Sequence, residues 1–439
     1  MHRFSFVIAA TLLMGLLAAC GKPPLEAAES ITPVTLLYSG NLDGELEPCG
    51  CSEAGDLGGI LRRASKIAEL RKQQPELFLL SSGGVLANAS PRDQLKSEYI
   101  LKGLAAMNYD AIGLQWRDLS YGVTFLDKAP LPWTASNWSG KRFPHQRQIK
   151  HGTVRMAFFA WLTPEESPFR QMKGAHQTVS DDPSPLRTAL TKADTQGMLT
   201  ILSTTLTLEQ AKTLFNLAHV DILITKSAYE EYGEPSQEGK TLVLQPGSRG
   251  MRLGRLDLKI DKGGDIDDWK HEVIPLPESV PDAPFLKEWY EEYNAKVKAA
   301  YLASVERKKR LQAGQSPFTG ADACQECHQK AYDEWRNTPH AQAFSRLEEV
   351  GKSFDPDCIT CHTVGFEQPG GYIDSRLTIH LMDVQCESCH GPGRKHMEAK
   401  GKEPTPHASW SKEKICRQCH TQPHSPEFKL DSYWPRIAH

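Results

Sequence analysis

Between residues 324 and 420 the pentapeptide Cys-x-x-Cys-His occurs four times: Cys324–His328, Cys358–His362, Cys386–His390 and Cys416–His420. A chain with this frequency of Cys and His would produce roughly 0.01 such pentapeptides by chance. The spacing is that of covalent c-type haem attachment. Two thiols add across the two vinyl groups, and the adjacent imidazole reaches the iron. The expected thioether positions are Cys324 and Cys327, Cys358 and Cys361, Cys386 and Cys389, and Cys416 and Cys419. The expected proximal ligands are His328, His362, His390 and His420. Zinc sites also use Cys-x-x-Cys pairs, but they do not require His directly after the second Cys, as found in every repeat here. Four covalently bound haem c groups are therefore expected, with electron transfer as the first-order function.

This count constrains folding. Residues 316–439 hold ten of the sixteen histidines and show weak apolar periodicity. Such a segment is expected to be mainly α and haem-packed, its cofactors supplying apolar core that the sequence lacks. Six further histidines are available as second axial ligands: His340, His380, His396, His407, His424 and His439. Only two methionines are, Met382 and Met397. Met ligation raises haem potential, so the excess of His predicts bis-histidine, low-potential iron. His407, in a Pro-flanked polar loop, and His424, after Pro423, are expected not to ligate. Trp335 is expected either against a porphyrin or in ordinary core packing.

Cysteine use elsewhere is sparse. Of 11 cysteines, eight lie in the motifs, leaving Cys20, Cys49 and Cys51 and no surplus for a disulfide framework. Met1-His2-Arg3 is a basic start, and the apolar run from Phe4 to Ala19 is short for a membrane span and fits a signal segment. It ends in Leu17-Ala18-Ala19-Cys20, which resembles a bacterial lipobox. The resemblance implies cleavage before Cys20, lipidation there, and a stable membrane anchor of several acyl chains. Gly21 rather than Asp after the cysteine implies the outer membrane, with the protein in the bacterial cell envelope. Haem attachment outside the cytoplasm agrees with export. The net charge of −3 gives no reason to expect nucleic-acid binding.

The expected organisation is a signal peptide (1–19), a tether (20–33), an α/β domain (34–262), a linker with a long polar helix (263–315) and the haem domain (316–439). In the α/β domain, strands at 34–38, 77–80, 110–114, 199–203 and 221–225 alternate with helices at 59–72, 94–107 and 208–217, the pattern of a layered sheet domain. Residues 242–245 and 253–260 are expected to close it as a hairpin. Residues 285–312, free of Pro and Gly, predict one long helix, expected to be a solvated spacer.

The residues around the motifs carry a resemblance. Glu334-Trp335, Thr338-Pro339-His340-Ala341, Thr363-Val364-Gly365-Phe366, Gly370-Gly371-Tyr372 and Gly391-Pro392-Gly393 are similar to the tetrahaem cytochrome c family typified by the electron acceptor of hydroxylamine oxidoreductase. The resemblance implies distal iron ligands at His340, His396 and His439. One haem in that family lacks a distal ligand. Here His380 occupies the corresponding position before the third motif and is expected to close that iron.

Residues 34–261 resemble the metal-binding domain of 5'-nucleotidase-type metallophosphatases. The likeness rests on Gly58-Gly59-Ile60-Leu61-Arg62-Arg63-Ala64, Met107-Asn108-Tyr109-Asp110-Ala111-Ile112 and Pro246-Gly247-Ser248-Arg249-Gly250 with Leu253-Gly254-Arg255-Leu256. The family's chemistry uses two divalent metals to activate water. Its ligand positions fall here at Asn41-Leu42-Asp43, Gly84, Gln115-Trp116-Arg117-Asp118, near Thr204 and near Lys226-Ser227-Ala228-Tyr229, none of them His. No dinuclear metal centre and no phosphatase activity are expected. Cys49-Gly50-Cys51 is open between a strained disulfide, a redox-active pair and a metal or partner ligand.

The leading expectation is a lipid-anchored tetrahaem cytochrome of a respiratory chain. It would exchange electrons with a donor and an acceptor protein, its N-terminal domain serving as a non-catalytic scaffold or docking module. The alternatives are a redox enzyme acting on a small nitrogen or oxygen compound at a five-coordinate haem, and an N-terminal module that binds a nucleotide or partner.

Overall fold

In β1 (Thr32–Ser39) every residue from Val34 to Ser39 is buried, so the strand is covered on both faces. Leu36 and Tyr38 point to one side and Leu37 to the other, as the twofold pleat requires. The computed structural model describes residues 31–48, 56–168, 179–225, 232–311, 314–422 and 424–439. The expected signal segment, Cys20, Cys49, Cys51 and residues 226–229 lie outside them.

The N-terminal region is two six-stranded sheets packed face to face between helices. Around β1 run β2 (Phe78–Ser81), β3 (Ala111–Gly113) and β4 (Trp133–Thr134). The second sheet holds β5 (Arg147–His151), β6 (Val154–Trp161), β7 (Leu199–Thr204), β8 (Ile222–Ile224), β9 (Gly233–Glu238) and β10 (Thr241–Gln245). The first sheet is completed by β11 (Arg252–Ile260) and β12 (Ile266–Pro275). The strand orders are β12-β11-β1-β2-β3-β4 and β5-β6-β7-β8-β10-β9. Leu36, Tyr38, Phe78 and Leu80 meet Met156, Phe158, Ile201 and Ile222 between the sheets. Helices α1 (Ile60–Gln73) and α2 (Pro91–Ala105) flank the first sheet. Helices α3 (Ser184–Thr195) and α4 (Leu208–Leu214) flank the second, where Leu186 and Leu190 pack on Phe159 and Leu202.

Two sequence expectations change. Residues 242–245 and 253–260 do not form a hairpin with each other: β10 pairs with β8 and β9 in one sheet, β11 with β1 and β12 in the other. β12 also falls in the stretch expected to be linker. Its alternation of half-buried and exposed residues is that of an edge strand with one wet face.

Helix α5 (Lys287–Leu311) is not a solvated spacer. Tyr293, 5% exposed, packs in the N-terminal core against Tyr99, their rings 5.4 Å apart, and the Trp289 indole N–H donates to the Tyr99 carbonyl at 3.1 Å. Two turns on, Tyr301 and Val305 belong to the core of the haem region, and the Tyr301 hydroxyl donates to the Ile373 carbonyl at 3.0 Å. One helix therefore contributes to both cores. Its charged composition hides this, because only one narrow stripe is apolar.

The C-terminal region is built of short helices: α6 (Ala321–Gln325), α7 (Gln329–Trp335), α8 (Ala343–Glu349), α9 (Pro356–His362), α10 (Cys386–His390), α11 (Arg394–Glu398), α12 (Lys412–Cys416) and α13 (Leu430–Tyr433). Its apolar cluster gathers around α9, with Phe344, Ile359, Val364 and Tyr372 at the centre.

Candidate functional site

Each motif sits on a single helical turn. Within it, residues three and four apart share a face, so both thiols and the following imidazole point the same way. The first and fourth motifs finish just beyond α6 and α12. There His328 N–H donates to the Cys324 carbonyl at 3.0 Å and His420 N–H to that of Cys416 at 2.9 Å. The second and third motifs close α9 and α10. Among the described residues the eight motif cysteines form no disulfides, which leaves their sulfurs to haem attachment.

The motifs adjoin in an order different from the sequence. The thiols of Cys324 and Cys386 are neighbours, which brings the first motif beside the third. Cys389 lies beside Cys416, joining third to fourth, and burial with these neighbours pushes its thiol up to about 11. Cys361 and Cys419 are neighbours, which brings the second motif beside the fourth. The spatial order is first, third, fourth, second. Glu387 holds the first junction. Its carboxylate, 4% exposed, accepts from Thr319 N–H at 2.9 Å, Gly320 N–H at 2.8 Å and Gly393 N–H at 2.6 Å. These bonds tie the entry of α6 to the turn after the third motif.

The histidines form facing pairs. Ring centroids are 6.1 Å apart for His328 and His396, 6.1 Å for His340 and His420, and 5.9 Å for His390 and His439. Two imidazoles bound to opposite sides of one metal place their centroids roughly 6 Å apart, since each metal–nitrogen bond is about 2 Å. Each pair joins one motif histidine to one of the expected distal histidines. The Nδ1 atoms are turned away from the facing side. His396 Nδ1 meets the Glu403 carbonyl at 2.6 Å, His439 Nδ1 the Ile437 carbonyl at 3.0 Å, His362 Nδ1 the Ala343 carbonyl at 2.6 Å and His420 Nδ1 the Ser425 hydroxyl at 3.0 Å. A carbonyl can only accept, so at His396, His439 and His362 Nδ1 carries the proton and Nε2 is left to a metal. Burial lowers the pKa values of His340 and His420 and favours the neutral form that ligates. The donor set and its spacing fit haem.

His380 is the fourth expected distal ligand. It lies in a short turn beside Gly320, at the start of the first motif, and its carbonyl accepts from Gln385 Nε2 at 2.9 Å. Among the described residues its ring meets no motif imidazole. The second motif's His362 is within electrostatic reach of both His340 and His424. His407 is stacked on Trp410 at 3.7 Å, with Nδ1 on the Cys389 carbonyl. Trp335 donates its indole N–H to the Val384 carbonyl at 2.7 Å.

The vacated metal loops of the N-terminal region lie at the carboxyl ends of its parallel strands. They are filled by bonds among themselves. Gln115 Nε2 donates to Asn41 Oδ1 and to the Ser82 carbonyl, both at 2.9 Å. Gly84 has φ +68, and a Cβ there would lie 2.6 Å from Asn41 Cγ and 2.7 Å from Gln115 Oε1. No carboxylate fits at this position without displacing both. Asp118 is fully buried and accepts from the N–H groups of Gly84, Val85 and Gln115 at 2.9, 2.7 and 3.0 Å. Burial pushes its carboxyl up to about 6, against these donors. Asp43 is paired with Arg117 at 3.2 Å. Trp116 donates to the Thr163 carbonyl at 2.8 Å, leaving a cavity of about 10 Å³, room for one water. The donors at these described positions do not fit two divalent metals. Asp194, Asp221 and Asp265, the acidic cluster found among the described residues, lie at the opposite strand ends around the Lys240 ammonium.

The two regions meet near the second motif. Asp357, next to Cys358, pairs with Arg92 and with Lys96 of α2, the latter at 2.9 Å, and Lys352 pairs with Glu47. Burial opposes charge on Asp357, but Lys96 and Arg92 outweigh it and hold its carboxyl below the usual range.

Comparison with known proteins agrees with this division. The family described as cytochrome c554 and c-prime matches residues 323–391, a span holding the first three motifs. Over 97 residues the chain is 37% identical to cytochrome c-554 of Nitrosomonas europaea, covering 19% of this chain and 41% of that protein. Over 212 residues it is 24% identical to snake venom 5'-nucleotidase of Gloydius brevicauda, covering 44% of this chain and 35% of that protein. The solved 5'-nucleotidase precursor from Thermus thermophilus superposes with a TM-score of 0.53 at 17% identity, over 61% of this chain and 59% of that one. The chain thus spans less than half the length of these two curated relatives. Its C-terminal region is a cytochrome c554 domain, and its N-terminal region has the 5'-nucleotidase-like metallophosphatase fold.

Proposed function

We propose that this chain, a cytochrome c554 domain joined to a metallophosphatase-like fold, is an exported electron-transfer protein carrying four haem c groups. The facing imidazole pairs are the observation that carries the reading. Bound haem supplies one-electron iron chemistry. The residues of the chain would do the rest: the eight motif cysteines would anchor the haems, and the motif histidines with His396, His340 and His439 would hold the iron. The Glu403 and Ile437 carbonyls behind Nδ1 hold the His396 and His439 rings in place. Capping of both iron faces favours electron transfer over substrate chemistry at the paired sites.

The N-terminal region is proposed as a non-catalytic scaffold or docking module. Asp43 and Asp118 are spent on an arginine and on backbone N–H groups. Redox partner proteins, donor and acceptor, remain part of the proposal, as does anchoring in the bacterial envelope through a lipid on Cys20. Among the described residues no helix is long and apolar enough to cross a membrane. The test is the full-length protein matured in a bacterial periplasm. Alkaline pyridine should release the spectrum of four haem c per chain, and the ferric protein should titrate at low potentials. Phosphatase activity that depends on added Mn²⁺ or Zn²⁺, or a haem count of zero, overturns the reading.

A further inference from the structure

The ion pairs between the two regions converge on the second motif. Asp355 caps α9, its side chain accepting from the Asp357 N–H at 3.0 Å. Asp357 follows in the first turn, directly before the thioether Cys358. Arg92 and Lys96 stand one turn apart on α2 and so reach out from one face. Lys96 Nζ donates to Asp357 Oδ2 at 2.9 Å, and Arg92 pairs with the other carboxylate oxygen. Arg92 also lies 4.0 Å from Glu367, in the turn after the motif. Lys352 pairs with Glu47 of the loop after β1, donates to Asn294 Oδ1 of α5 at 2.9 Å and lies 3.8 Å from Asp355. The Lys96, Lys352 and Asp355 side chains are largely buried.

The sequence around this motif does not balance its own charge. From 353 to 375 the chain carries Asp355, Asp357, Glu367 and Asp374 and no Lys or Arg. The fourth motif, by contrast, has Lys412, Lys414 and Arg417 beside or within it. Cations for the second motif come from its edge, at Lys352, and from the N-terminal region, at Arg92 and Lys96. Oxidation of a haem iron adds one positive charge. An uncompensated carboxylate beside it therefore favours the ferric state and lowers the potential. Partly buried charges are screened little by salt, so their balance is felt at the cofactor.

We propose that the N-terminal domain sets the potential of the haem at the second motif. Arg92 and Lys96 neutralise Asp357 beside Cys358 and hold that haem above the potential it would have with the carboxylate bare. The inference rests on the cytochrome reading above. It gives the N-terminal domain a redox role, the supply of charge to a haem across the domain boundary.

The test uses the full-length matured protein, with optical spectroelectrochemistry as the readout. A pyridine haemochrome count of four haems secures the cytochrome reading separately. Arg92→Met combined with Lys96→Met should keep four haems and lower the midpoint of one, leaving three unmoved. Adding Asp357→Asn to that pair should return the shifted midpoint toward its original value. Asp357→Asn alone should raise the same midpoint, because two cations then stand unopposed. Lys102→Met breaks the Lys102–Glu98 pair, 2.7 Å long and farther along α2, and should move none. An equal shift there would make the effect general and overturn the proposal. Four unmoved midpoints in the double variant also overturn it, and reduce the cations to a structural bond between the regions. So does a downward shift that Asp357→Asn fails to reverse, since that carboxylate then does not carry the effect. If the double variant fails to mature, Asp357→Asn alone decides: unshifted midpoints exclude the tuning role.

Discussion

His328 and His396 face each other with ring centroids 6.1 Å apart and planes 24° from parallel, although two further motifs lie between them in the sequence. His396→Ala should therefore leave four haems attached, because no thioether cysteine is touched. One iron should pass from six- to five-coordinate. Electron paramagnetic resonance would show one low-spin signal lost and one high-spin signal gained; an unchanged spectrum would dissolve this pairing.

The contact between α2 and the second motif is electrostatic and should depend on pH. The lowered pKa of Asp357 means that its contribution is complete above the ordinary carboxylate value of about 4 and disappears as pH falls through the folded value. Burial opposes charge on Lys96, but Asp357 outweighs it and raises the pKa. Its contribution is therefore present below the ordinary lysine value of about 10.4 and lost as pH rises through the raised one. Partial exposure of Asp357 limits the pair to about 1 kcal/mol or less. Urea midpoints of Lys96→Met and the unaltered protein should differ near neutral pH and converge below about pH 4. A gap that persists in acid would mean that Lys96 acts through packing.

Gly84→Asp would return a carboxylate to the position that bridges two metals in the related fold. Here the backbone is left-handed and the space belongs to Asn41 and Gln115. The substitution should cost about 1–3 kcal/mol and lower the melting temperature, without phosphatase activity in added Mn²⁺. Restored hydrolysis would show that the loops can open.

Tyr301→Phe removes one hydroxyl from the helix that joins the two cores and leaves the Ile373 carbonyl without that donor. A loss of about 1 kcal/mol in urea unfolding is expected. Tyr293→Ala, at the other end of the same stripe, should cost about 3 kcal/mol through lost burial. Neutral results at both positions would return α5 to the status of a spacer.

Much of the architecture was legible locally. Strands such as β1 and β7 announce themselves as short continuous apolar runs, and α1 by its helical period. The edge strand β12 escaped because its wet face leaves little apolar signal, and β11 was assigned the wrong partner because pairing between distant segments leaves no local trace. Likewise α5 looked solvated because Tyr293 and Tyr301 each meet a different core. Glu387, a buried carboxylate inside a motif, has no sequence signature distinguishing it from a surface residue.

The four Cys-x-x-Cys-His repeats by themselves determined the cofactor chemistry, because attachment needs two thiols and an imidazole within one helical turn. Which distant imidazole faces which motif was a tertiary matter. His328 and His396 are far apart in the sequence, and only folding brings their rings face to face. The motif order of first, third, fourth and second arose the same way, from a chain that doubles back so that cysteines remote in sequence touch.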